Sequence, residues 1–145
     1  MCQFVILTAA LLIGADDPKE AAKKELMNLQ GQWSMVSAVQ DGETAPKDLV
    51  KGSKRACVDD ELTVTIDDRV YIRAKITLDP SKKPKAIDYT VTEGFNKGKK
   101  LLGIYEVDGD TVKFCFARPE KERPTDFTAE TGSGRTFSVW KRTSK

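Results

Sequence analysis

The chain has 145 residues, a formal net charge of +2, and 32% charged against 39% hydrophobic residues, which suits one soluble domain with a packed core and excludes a largely membrane-embedded or disordered chain. It contains no histidine, which removes Ser-His-Asp and Cys-His nucleophile sets, His-based zinc motifs and the commonest neutral-pH general base. Lysines gather at Lys82, Lys83 and Lys85 and at Lys97, Lys99 and Lys100 with no interleaved aromatics, so they read as solvated turns that keep sheet edges from pairing, and no nucleic-acid partner is expected.

In chain order, the apolar run from Phe4 to Ile13 is too short for the roughly 20 residues of a spanning helix. Followed by Gly14-Ala15 and then Asp16-Asp17, it reads as an export signal covering residues 1–15, although Met1-Cys2-Gln3 carries no basic residue. The expected destination is periplasmic or extracellular, with residues 16–145 as the mature domain. Two cysteines would survive processing, Cys57 and Cys115. They are a candidate disulfide in an oxidising compartment, though their separation in chain order favours two unpaired, half-buried thiols.

Asp17-Pro18-Lys19-Glu20 predicts a helix start, with Asp as N-cap, Pro at the first helical position and Glu three residues after the cap. Ala22, Leu26 and Leu29 give that helix an apolar stripe, and Gly31 ends it. A strand follows in which Trp33, Met35, Ser37 and Val39 share a face, then a turn at Asp41-Gly42 and a helical turn over Pro46 to Lys51. Strand patterns return at Arg55 to Val58, Leu62 to Ile66 and Val70 to Leu78, divided by Asp59-Asp60-Glu61 and Asp67-Asp68. In the last of these, Val70, Ile72, Ala74, Ile76 and Leu78 alternate with polar residues, the signature of one dry face.

Pro84 to Ala117 holds three further strands. Ile87, Tyr89 and Val91 alternate with polar residues, a Gly94 to Gly98 loop reverses the chain, and Leu101 to Val107 meets Thr111 to Ala117 across Asp108-Gly109-Asp110. After a proline-bracketed loop from Arg118 to Pro124, Phe127 and Ala129 are expected to start a strand, Gly132-Ser133-Gly134 to turn it, and Phe137 to Arg142 to form the final strand. The sum is a mainly β domain of about eight or nine antiparallel strands with one N-terminal helix, an up-and-down barrel or strongly curled sheet, since closure removes exposed edges.

Catalytic chemistry finds little support. Gly94-Phe95-Asn96-Lys97-Gly98-Lys99-Lys100 has one residue too few for a phosphate loop, lacks the Ser or Thr after Lys, and leads into a strand. Asp59-Asp60-Glu61, Asp67-Asp68 and Asp108-Gly109-Asp110 sit in corners, where Asp serves turn chemistry. No enzyme activity, cofactor or metal is expected. The candidate site is the set of inward aromatics Trp33, Tyr89, Tyr105, Phe114, Phe116 and Phe137, suited to a small hydrophobic molecule in or at the mouth of the barrel. The same rings can fill a small barrel completely, and the alternative is then a structural or protein-interaction domain of the cell envelope.

Leu29-Gln30-Gly31-Gln32-Trp33, Leu78 to Asp88, Gly103-Ile104-Tyr105-Glu106 with Asp108-Gly109-Asp110, Glu122-Arg123-Pro124 and Trp140-Lys141-Arg142 together resemble a family of small exported domains of planctomycete type regarded as lipocalin-like. That resemblance implies a lipocalin-like barrel and export, and no assigned activity. Gly31-x-Trp33 is also similar to the opening signature of lipocalins and fatty-acid-binding proteins. There the Trp plugs the barrel base under a basic residue of the last strand, a role the resemblance assigns to Arg142.

Overall fold

The computed structural model describes residues 17–144, and the expected export signal at 1–15 lies outside them. The chain enters through α1 (Pro18–Asn28), with the Asp17 carboxylate accepting from the Lys19 amide at 3.1 Å and Pro18 in the first turn, as the capping pattern predicts. Gly31 then turns the chain out of the helix at φ 101°, a conformation that costs an L side chain strain. Beyond it run β1 (Gly31–Gln40), the two-residue β2 (Glu43–Thr44), the short α2 (Lys47–Gly52), β3 (Ser53–Val58), β4 (Glu61–Ile66) and β5 (Arg69–Asp79). β6 (Lys85–Gly94), β7 (Lys100–Asp108), β8 (Thr111–Phe116) and β9 (Thr136–Ser144) complete the chain.

All pairings are antiparallel, and each strand from β3 to β9 lies beside its neighbours in sequence. β9 then pairs with β1, which closes eight strands into a barrel and leaves β2 as an extra strand on β1. The expected barrel is therefore the one formed. Acidic corners supply the tight turns: Asp59, Asp67 and Asp68 all adopt positive φ, a region that Asp enters more readily than most L residues.

Two irregularities alter the expected faces. A bulge at Val36 shifts the β1–β9 register, so that inward positions run Trp33, Met35 and Ala38, and Ser37 and Val39 turn outward. A second bulge at Tyr71 breaks the β4–β5 register and turns Val70 out, 39% exposed, while Ile72, Ala74, Ile76 and Leu78 stay inside. Gly103 faces the interior under Phe116, where a Cβ would lie 2.5 Å from the ring.

The end of the barrel where β1 begins is sealed. Ala22 and Leu26 of α1 pack against the core, Leu29 is fully buried, and Lys85 pairs with Glu25 across the seam. Trp33 plugs this end, 1% exposed, donating its indole N–H to the Leu29 carbonyl at 3.1 Å. Arg142 of β9 lies opposite Trp33 in register and stacks its guanidinium 4.2 Å from the indole centroid. It also donates to the Gln30 carbonyl and to the Asn28 carbonyl at 2.7 Å, so the last strand grips the helix end that leads into the first.

The strand expected to start at Phe127 and Ala129 does not form: residues 117–135 run without a strand and lie on the outside, against the wall made by β6, β7, β8 and β9. Arg123 pairs with Asp88 at 2.7 Å and donates to the Gly103 carbonyl at 2.9 Å. Asp41 accepts the Gly132 and Gly134 amides at 2.8 Å each, and those bonds hold its carboxyl below the usual carboxylate range.

Replacing Arg142 by Met removes a stacked cation and two charge-assisted bonds while keeping a side chain of similar length. The barrel should still form, with urea unfolding showing a loss of about 2–4 kcal/mol. An unchanged unfolding midpoint would show that β9 does not depend on this contact.

Candidate functional site

β3 is the short wall strand that faces inward at every second residue, through Ser53, Arg55 and Cys57, all buried. Its register places Arg55 directly opposite Trp33 on β1 and Val64 on β4, so all three share the inner face. Arg55 is thus a charged side chain, 2% exposed, in the wall of an apolar barrel.

Aromatic rings surround it. The Arg55 guanidinium carbon lies 4.1 Å from the Phe114 centroid and 5.7 Å from that of Tyr89. Phe116 in turn packs on Tyr89 at 4.2 Å and on Phe114 at 6.1 Å. One guanidinium nitrogen, Nη1, donates to the Tyr89 hydroxyl. The other two, Nε and Nη2, are buried with no hydrogen-bond partner, and among the described residues no carboxylate lies within ion-pair distance of Arg55. Burial pushes the Tyr89 phenol up, opposed by the nearby guanidinium, so at neutral pH Tyr89 is a hydroxyl and brings no negative charge.

The energetic consequence is unfavourable for the barrel alone. Taking an ion out of water costs several kcal/mol even after relaxation. A desolvated cation–π contact returns about 2 kcal/mol, and one hydrogen bond to a charged group about 1.5–3 kcal/mol. Two buried N–H donors are left over, each costing roughly 1–3 kcal/mol.

Five of the six aromatics expected to face inward do so. Trp33, Tyr105 and Phe114 are about 1% exposed, Tyr89 is 5% exposed, and Phe116 is half-buried against the core. Only Tyr89, Phe114 and Phe116 gather at Arg55. Trp33 belongs to the Arg142 contact at the sealed end, and the buried Tyr105 hydroxyl lies beside Glu25, where burial and that carboxylate raise its pKa. Phe137 is a correction: it pairs with Cys115, which alternates with inward Phe114, and so points outward onto Phe127, ring centroids 6.3 Å apart. The reason is that residues 117–135 cover that wall, so an outward phenylalanine there is still half-buried.

The two cysteines stay unpaired, as their separation in chain order favoured, and both are buried where half-buried thiols were expected. Cys57 faces the interior beside Gln30, Cys115 faces outward with its thiol on the Thr128 carbonyl at 3.4 Å, and both are free. Sequence reasoning missed Arg55 and Trp140, the latter inward and 4% exposed opposite Met35. The available signal for Arg55 was its place between Ser53 and Cys57 at alternate positions of one strand.

Two concavities lie elsewhere. One of about 290 Å³ sits between α2 and β1, lined by Val36, Ala38, Ala45 and Val50 and edged by Lys47 and Lys51. The other, about 620 Å³ and open to solvent, is lined by Leu49, Ile66 and Asp67 among others. None of the six expected aromatics lines either. Among the described residues no three His, Cys, Asp or Glu side chains assemble into a metal-binding group, and no helix is long and apolar enough to cross a membrane. Comparison with family models, with curated proteins and with solved structures finds no match to this chain.

Two outcomes follow from this geometry. Replacing Arg55 by Met together with Tyr89 by Phe removes the uncompensated charge and its hydroxyl partner at nearly constant volume, so thermal unfolding of the isolated protein should show no loss, or a gain of about 1–3 kcal/mol. A loss of similar size would mean the charge is satisfied within the fold. Burial also pushes both thiols up. Cys57 and Cys115 therefore stay protonated, and iodoacetamide at pH 8 should label them only after unfolding. A Cys57–Cys115 cross-linked peptide would contradict the free thiols.

Proposed function

We propose that this barrel is a binding module for a compact, largely apolar molecule held against Phe114, Phe116 and Tyr89, with Arg55 as its polar anchor. The observation that carries this reading is Arg55: a buried charge that the fold does not neutralise. An apolar residue at that position would serve the barrel better, so the charge is explained by something that binds to it. Small-molecule sites combine an apolar, aromatic lining with a few polar groups that fix orientation, and this cluster has that composition. The resemblance to exported lipocalin-like domains agrees with this reading and with a periplasmic or extracellular address.

The interior sets a limit on size. Trp33, Tyr105, Phe114, Leu62, Ile87 and Val112 are each less than 2% exposed, and an eight-stranded barrel is only just wide enough for such side chains. An occupant must therefore be small and must displace a ring, for which half-buried Phe116 is the best placed.

A second reading, a structural or protein-interaction domain of the cell envelope, is favoured by that same filled interior and by the stacked Tyr71–Phe95 pair, 41% and 56% exposed. Titration with a homologous series of short alkyl alcohols and alkyl acids separates the two, using emission from the buried Trp33 and Trp140 as the readout. Saturable binding that disappears in the Arg55→Met, Tyr89→Phe protein is the expected result. Absence of saturable binding across the series would leave the envelope-domain reading in its place.

A further inference from the structure

We infer that the molecule recognised at Arg55 carries a carboxylate, held by a two-pronged contact to Nε and Nη2. This deepens the binding reading above and rests on it. In a guanidinium group, Nη1 lies on the side of Cδ, so the Nε–H bond and one Nη2–H bond point the same way and form a parallel fork. That fork matches the two oxygens of a carboxylate. In this barrel Tyr89 takes Nη1, and the two atoms left without partners are the fork pair, Nε and Nη2.

Charge points the same way. The Arg55 cation is not neutralised by any described carboxylate, and the Tyr89 hydroxyl is neutral. A water molecule would satisfy one donor but bring no charge. A monovalent, planar acid satisfies both donors and cancels the charge in one contact. The faces of Phe114 and Tyr89 flank the guanidinium, so whatever extends from the acid group meets aromatic carbon. The class is therefore a short aliphatic or aromatic monocarboxylic acid. A more highly charged anion would bring charge with no second cation to meet it, since the Arg142 guanidinium is committed to Trp33, the Asn28 and Gln30 carbonyls and Asp110.

The test uses the intact processed protein, hexanoate, and hexan-1-ol as the matched molecule without an acid group. Tryptophan emission gives the affinities, and proton–nitrogen correlation spectra follow the Arg55 Nε–H resonance directly. Hexanoate should bind more tightly than hexan-1-ol by about tenfold or more, with a downfield shift of that resonance. Arg55→Lys keeps a positive charge but loses the fork, and should abolish the preference. Equal affinities with an unmoved Arg55 resonance would overturn the carboxylate assignment and leave a binding barrel standing. No binding of either probe would overturn both. The resonance is read in the unmodified protein, so the outcome does not depend on how the variant folds.

Discussion

Closure of this barrel rests on the ladder between β9 and β1, which the stacking of Arg142 on Trp33 reinforces at the sealed end. A sheet of this many strands exposes two unpaired edges unless its last strand finds its first, and β9 and β1 are separated by nearly the whole domain. Arg142 and Trp33 lie opposite one another in that ladder. The guanidinium covers the indole and binds two carbonyls at the end of α1, while the indole N–H is spent on Leu29. Helix end, first strand and last strand are thereby held at one point. Both Arg142 Nη atoms are hydrogen-bonded and its Nε, which makes no hydrogen bond, lies 3.4 Å from the Asp110 carboxylate, so its charge is met where that of Arg55 is not.

Arg55 is the contrasting case. It sits opposite the same tryptophan, on the other side of it in the sheet, yet has one conventional hydrogen-bond partner where Arg142 has two and an acidic neighbour besides. Folding optimises burial and pairing together, and a residue that satisfies the first while violating the second marks a place where something other than stability has shaped the sequence. The rings of Phe114 and Tyr89 offset part of the cost and leave the fork edge of the guanidinium unmet. Energetic deficit and vacant donor geometry thus coincide on one group of atoms.

The outer wall explains where the expected site was too broad. Most of the barrel follows the rule that inward residues are apolar and outward ones polar. Along β7, β8 and β9 the outward face is also covered, by residues 117–135, so Ile104, Cys115 and Phe137 are buried or half-buried without entering the interior. Aromatic content in that region reports on two packed surfaces, and only the register tells them apart. Phe114, Cys115 and Phe116 are consecutive, but the middle one belongs to the outer layer.

Local pattern alone determined the eight barrel strands and their direction, the capped helix before them and the acidic turns. These features rest on period-two alternation and on turn chemistry, both written within a few residues. Tertiary structure decided the rest. The bulges at Val36 and Tyr71 reset which side chains face inward, the 117–135 segment gave Phe137 an outer surface to pack on, and cross-strand register brought Arg55 of β3 to Tyr89 of β6 and Phe114 of β8. A buried arginine is indistinguishable from a surface one in a strand of alternating residues. What sets it apart is the company that closure of the sheet brings to it, which lies far away along the chain.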